Sequence, residues 1–355
     1  MTASAFDHPI LSGLLGDEEI SALLSASPDL EAMGRFELAL ARAQATTGLI
    51  PMDAAEAISA ALAAHVPDIA ALRSATARDG VVVPQWVKQV RAALPEPVRP
   101  HFHFGATSQD VIDTSLILRL KTIAAILDGR LEALIAGLAT LEDRFGHNRL
   151  MARTRMQDAL EIEVRSRLAD WRLPLERHRD RLAEIGPRLF VLQMGGAAGD
   201  RAQLGDKADE IVRLMAVELA LAPSSKAWHS QRDGLFEFAG WLAQVSGSLG
   251  KIGQDAALMA LAGPEHIVLS GGGGSSAMPH KSNPVAAEVL VSLARYNATL
   301  LGGMGQGLVH EQERSGAAWT LEWLVLPQML MTAGSGLLLA RKLLDAIQSL
   351  GQKSL

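Results

Sequence analysis

The chain has 355 residues, of which 48% are hydrophobic and 20% charged, with a net charge of −6. That is an ordinary globular balance, long enough to bury a large core in one or two domains, and its acidity gives no reason to expect nucleic acid or an anionic membrane as partner. With no cysteine, disulfides, thiolate catalysis and cysteine–zinc sites are excluded, which fits a reducing cytoplasm.

The opening Met1–Asp7 has neither a basic region nor an apolar run, so no secretion signal is expected. Alanine and leucine recur at three- and four-residue spacing over 30–45 and 54–64, and Pro51 with Asp53 offers a start for the second of these helices. Pro95, Pro97 and Pro100 then crowd the chain, predicting a boundary between a small helical domain at 1–100 and a long-helix domain at 101–355. Thr107 and Ser108 read as a helix start with Asp110 in the first turn, opening a proline-free run to about residue 144. Further runs are expected over 206–221, 228–261, 284–313 and 326–347, a pattern of long helices with little sheet. The stretch closest to a membrane span, 235–249, is short and carries Glu237 and Gln244, so no span is expected.

The segment 271–283 carries four consecutive glycines followed by Ser275, Ser276, Lys281 and Asn283. Glycines let a backbone move and approach a ligand closely. A hydroxyl, a cation and an amide on such a lid suit a reaction in which a carboxylate substrate exchanges a proton and negative charge builds up. Ser276 could instead cap the turn, and His280 reads as a solvent-facing loop residue. The helix start at Thr107 and Ser108 presents free N–H groups suited to an anion, or is a simple cap. Asp110 and Asp113 read as structural. His101 and His103 have the spacing of a metal pair but lack a third ligand, and read as core or pocket histidines.

Three blocks, taken together, resemble the fumarase/aspartase superfamily. Gly274–Asn283 is similar to the signature GSSxMPxKxN, His103–Thr114 to HxGxTSxDxxDT, and Ala152–Ala159 to GRTHxQxA, with Ala152 in place of the glycine. The resemblance implies an all-α long-helix bundle, assembled as a homotetramer with a central twenty-helix core and active sites built from three subunits. It implies no cofactor and no metal. It also implies a further C-terminal helical domain of which most or all is expected to be absent. Site roles carry over as follows: Ser275 is the proton-transfer group, and Lys281 and Asn283 bind a substrate carboxylate and stabilise the aci-carboxylate. Thr107 and Ser108 bind a second carboxylate, and Gln157 orients one.

Arg155 decides the branch. Most lyases of the superfamily have histidine there, assisting departure of an alkoxide, amine or guanidine. A carboxylate leaving group, with a conjugate acid pKa of about 4, needs no such help. Absence of that histidine, with the segments 228–233 and 310–323, resembles the 3-carboxy-cis,cis-muconate cycloisomerases, lactonising enzymes acting on a tricarboxylate, although arginine departs from the tryptophan or other bulky residue expected there. Arg153, Arg155 and Arg314 are then candidate anion ligands; Arg155 could instead make a salt bridge. A sulfomuconate is an equally acceptable substrate for a guanidinium. The rivals are a lyase of the adenylosuccinate or argininosuccinate type with a displaced general acid, and a non-catalytic structural protein on the same scaffold.

Overall fold

A computed structural model describes residues 4–274, 278 and 282–353. Twelve α-helices and four short strands are found among the described residues. Two short helices, α1 (Ser12–Leu15) and α2 (Glu18–Leu23), precede α3 (Ala26–Thr46), α4 (Met52–Ala64), α5 (Ile69–Asp79) and α6 (Val83–Ala93). The chain then enters α7 (Ser108–Phe145), which runs unbroken for 38 residues. Strands β1 (Arg149–Thr154) and β2 (Gln157–Glu163) form an antiparallel hairpin that leads into α8 (Val164–Leu189). The short α9 (Ala208–Leu219) packs on α3, and α10 (Asp233–Ala262) returns along the bundle. Strand β3 (Ile267–Leu269), α11 (Val285–Gln306), α12 (Gly316–Asp345) and β4 (Ile347–Leu350) complete the chain, with β3 antiparallel to β4.

The five long helices α7, α8, α10, α11 and α12 pack against one another as a bundle. The α10–α11 seam is tight because glycine makes it so. A Cβ on Gly253 would lie 2.5 Å from the Ala287 carbonyl oxygen, and one on Gly250 would lie 2.4 Å from the Ala294 Cβ. Trp241 stacks on Phe238 and donates its ring N–H to the His178 carbonyl at 2.7 Å, so a fully buried indole keeps its polar atom satisfied.

The mostly helical, little-sheet expectation matches this architecture, with several differences at the ends of elements. The run expected at 206–221 begins as a 3-10 turn, Ala202–Lys207, because Gly205 takes φ +58° and interrupts the helix. The run expected at 284–313 stops at Gln306, and the one expected at 326–347 starts ten residues earlier, at Gly316, with Pro327 inside it. The run read from 228 starts at Asp233. The 149–163 hairpin was not anticipated. Its turn residues Arg155 and Met156 have φ +47° and +66°, a left-handed pair that favours glycine or asparagine, neither of which is there to signal it. The helix that comes nearest to a membrane span is α12 rather than 235–249. It is long and apolar enough to cross a bilayer, but 72% of its most apolar window is buried inside the protein, so it reads as a core helix.

Candidate functional site

The N-terminus of α7 is built first. Thr107 caps the helix and Asp110 closes a capping box, its Oδ2 accepting the Thr107 N–H at 2.9 Å. The same carboxylate, fully buried, accepts the N–H groups of Gly195 and Gly196 at 2.8 Å each and His229 Nε2 at 2.8 Å. One side chain therefore ties the helix start to two loops more than eighty residues away. Gly195 has no alternative here, since a Cβ on it would lie 2.4 Å from the Ala227 Cβ. Arg201 holds the other side of that loop, donating to the Met194 and Ser224 carbonyls at 2.9 and 2.8 Å.

One turn further along α7, Asp113 is equally buried and accepts Arg232 Nη1 at 2.7 Å and Trp319 Nε1 at 3.1 Å. Arg232 turns its other edge to Glu322, at 2.6 and 2.8 Å. Burial alone would lower the Arg232 guanidinium, but the two carboxylates outweigh it and raise its pKa. The fork therefore stays charged, and α7, α10 and α12 are locked together at this end. The structural reading of Asp110 and Asp113 matches these contacts. His103 also belongs here, its Nδ1 2.5 Å from Glu37 Oε1. Burial would lower its pKa, yet the Glu37 carboxylate raises it.

Arg314, one residue before the Ser315 cap of α12, reaches Thr107 and donates from Nη1 to Oγ1 at 2.7 Å. Thr107, Ser108 and Arg314, picked from segments two hundred residues apart, thus meet at one helix N-terminus, where free N–H groups and a guanidinium face the same place. His310 lies close behind, its ring buried 3.6 Å from Glu322 Oε1, with neither nitrogen hydrogen-bonded. Burial, and then Arg232, hold its pKa below the usual range. The network of Gln193, His229, Arg232 and Glu322 was not singled out residue by residue from the sequence, although 228–233 and 310–323 stood out as blocks.

Arg153, Arg155 and Gln157 are elsewhere. They lie on the hairpin, whose residues 153–161 are all exposed, and Arg155 occupies its tip. Arg153 Nε pairs with Asp158 at 2.7 Å, and its Nη2 lies 3.4 Å from His266 Nε2. A cavity of 790 Å³ opens beside them against α10. Its cations are Arg153, Arg155, Arg167 and Lys251, set against Asp158 and Asp255.

A third group surrounds the base of the 271–283 segment. Gly273 and Asn283 exchange backbone hydrogen bonds at 2.9 Å in both directions, closing the loop where it leaves the body. A Cβ on Gly272 would lie 2.0 Å from Ser282 Oγ, so the closure needs glycine. A 570 Å³ cavity beside it is lined by Asn283, Pro284 and the last turn of α12, including Lys342. Ser275, Ser276 and Lys281 lie outside the described residues.

Helix lengths keep the Thr107–Arg314 group apart from the other two within one chain. Thr107 and the hairpin stand at opposite ends of α7, whose 38 residues span about 57 Å at 1.5 Å per residue. A hairpin arm of six or seven residues, at ~3.3 Å each, cannot close that gap. Arg314 and Lys342 stand near opposite ends of α12, roughly 40 Å apart by the same rise. Among the described residues, no hydrogen bond or ion pair joins one group to another.

Comparison with known proteins places the scaffold. A family model described as Lyase matches residues 17–296. The chain is 40% identical over 334 residues to the 3-carboxy-cis,cis-muconate cycloisomerase of Pseudomonas aeruginosa, covering 92% of this chain and 72% of that protein. It is 30% identical to an N-acetyl-S-(2-succino)cysteine lyase of Enterococcus italicus, covering 98% of this chain and 77% of that one. The crystal structure of the 3-carboxy-cis,cis-muconate lactonizing enzyme from Pseudomonas putida superposes with a TM-score of 0.89 at 35% identity, over 96% of this chain and 77% of that one. The sequence blocks, the long-helix bundle and these matches agree: the chain belongs to the lyase family of the fumarase/aspartase superfamily.

Proposed function

We propose that the protein is a cofactor-free cytoplasmic cycloisomerase that reversibly lactonises 3-carboxy-cis,cis-muconate to 4-carboxymuconolactone, with 3-sulfomuconate as a second substrate. A substrate carboxylate oxygen adds to one carbon of a double bond, and the neighbouring carbon, alpha to another carboxylate, takes a proton from the Ser275 hydroxyl. In reverse, the Ser275 alkoxide removes that proton and the ring carboxylate leaves. Lys281 and Asn283, with Ser276, hold the carboxylate on which negative charge accumulates; Thr107, Ser108 and Arg314 hold a second; Arg153, Arg155 and Gln157 hold the third. Cations and N–H groups preset around a developing anion are among the largest sources of rate gain.

The observation that carries this reading is Arg155. It puts a permanent cation, on an exposed hairpin tip, at the sequence position where the resemblance implies a histidine. A guanidinium cannot give up a proton to a leaving group, but it can bind an anion bidentately. A lactonase-type elimination, whose leaving group is a carboxylate, tolerates that exchange. The names of the relatives in the Pseudomonas species support the same substrate.

The separation of Thr107 and Arg314 from the other two groups supports a homotetramer whose sites draw on more than one chain, since no single chain brings all of these residues together. The test is loss of the conjugated-diene absorbance on mixing protein with 3-carboxy-cis,cis-muconate, with 3-sulfomuconate and adenylosuccinate in parallel. Rapid loss with the muconate, abolished by Ser275→Ala, is expected. Turnover of adenylosuccinate alone would overturn the reading.

A further inference from the structure

We propose that the cavity between the hairpin and the C-terminal half of α10 binds a ligand carrying two or more acid groups, and that His266 takes up a proton when it does. This rests on the reading that the Arg153 hairpin holds a substrate anion, and adds a residue and a proton that the reading does not contain.

The cavity has the charge for it, four cations against two carboxylates. His266 lines it from the turn between α10 and β3, with its side chain only 7% exposed. A guanidinium can only donate, so the 3.4 Å approach of Arg153 Nη2 makes His266 Nε2 an acceptor. The ring is then neutral, with its proton on Nδ1. The charged groups facing it are Arg153 and Asp158 on the hairpin, Arg167 on α8 and Glu265 beside it, whose Oε1 is 3.9 Å from Nε2. Burial, followed by Arg153, holds its pKa below the ordinary histidine value.

An anion seated on Arg153 reverses that balance. It draws the guanidinium N–H groups onto itself, frees Nε2, and brings negative charge beside the ring. Both changes favour imidazolium, which then donates a second hydrogen bond to the same anion. Proton uptake and binding are linked, so affinity rises as pH falls.

The test is calorimetric titration of the intact wild-type protein with propane-1,3-disulfonate, whose groups stay ionised, in two buffers of different ionisation heat at about pH 6.5 to 7.5. The expected result is uptake of a measurable fraction of a proton, with affinity rising severalfold as pH falls across that range. His266→Gln, whose amide still accepts from Arg153, should bind more weakly with no uptake. No binding, a wild-type proton count of zero, or uptake unchanged in His266→Gln would overturn the proposal. The wild-type count decides by itself if the variant does not fold. Muconate turnover with zero uptake would leave the proposed activity standing and remove this inference; uptake without turnover would do the reverse.

Discussion

The two ends of α7 are organised by different rules. At its N-terminus every oxygen of Asp110 and Asp113 is matched to a donor, and most of those donors come from the 193–199 and 228–233 segments and from α12. At its C-terminus a hairpin carries three candidate site residues into solvent, with Arg153 satisfied chiefly by its own hairpin neighbour Asp158. One end is complete in a single chain. The other is exposed, and Arg153, Arg167 and Lys251 there pair with carboxylates of the hairpin and of α10. The contrast teaches that buried charge is used here to fix the frame, while exposed charge is left at the surface, where the proposed substrate would meet it.

Breaking the wired end should have the largest effect. Asp113→Ala leaves Arg232 with one carboxylate and Trp319 Nε1 and Gln193 Nε2 without their acceptor, so a loss of about 3–5 kcal/mol is expected in urea unfolding. A loss of under about 1 kcal/mol would mean that the network is not a lock.

Two histidines sharpen the picture through pH, with opposite signs. His178, buried against Ser248 and Arg181, has its pKa lowered to about 4 by burial and then by the nearby arginines. Below 6.5 the unfolded chain binds a proton that the folded chain refuses, so stability falls as pH drops from 6.5 to about 4. His103, raised by Glu37, contributes stability that is present below 6.5 and lost as pH rises through its higher folded value. Unfolding midpoints against pH for His178→Gln and His103→Gln should flatten the acid and the alkaline limb respectively. If each variant keeps the wild-type slope, the assignment is wrong.

Thr107→Ala should remove the cap at a cost of about 1 kcal/mol while also freeing Arg314. Its expected signature is a small drop in melting temperature with a large rise in KM. At the exposed end, Arg155→Asn suits the left-handed turn and should change stability by about 0.5 kcal/mol or less, yet weaken substrate binding. If the two variants lowered stability equally and left KM alone, the division between frame and receiver would fail.

Much of the wired end was legible in the sequence, because caps and helix runs are local signals: Thr107 and Asp110 announce a helix start three residues apart. The four glycines marked 271–283 as a loop, but the backbone pairing of Gly273 with Asn283 had no signal of its own in the sequence. The partners of Asp110 and Asp113 were not legible residue by residue, since His229 and Arg232 sit about 120 positions away and nothing local says which buried charge meets which. The hairpin was hidden because Arg155 and Met156 adopt a conformation their side chains disfavour. His266 was hidden because an imidazole beside an arginine is a tertiary accident with no spacing of its own.

In the proposed function, groups held apart by helix length meet only between copies. The most direct measurement mixes two variants, Arg314→Ala and Arg155→Ala, each first shown to be folded and inactive on the muconate. They are unfolded and refolded together so that subunits exchange. Sites that draw Arg314 and Arg155 from different chains will include some with both residues intact, so diene-consuming activity should reappear in the mixture and in neither variant refolded alone. A mixture as inactive as its components would contradict the account.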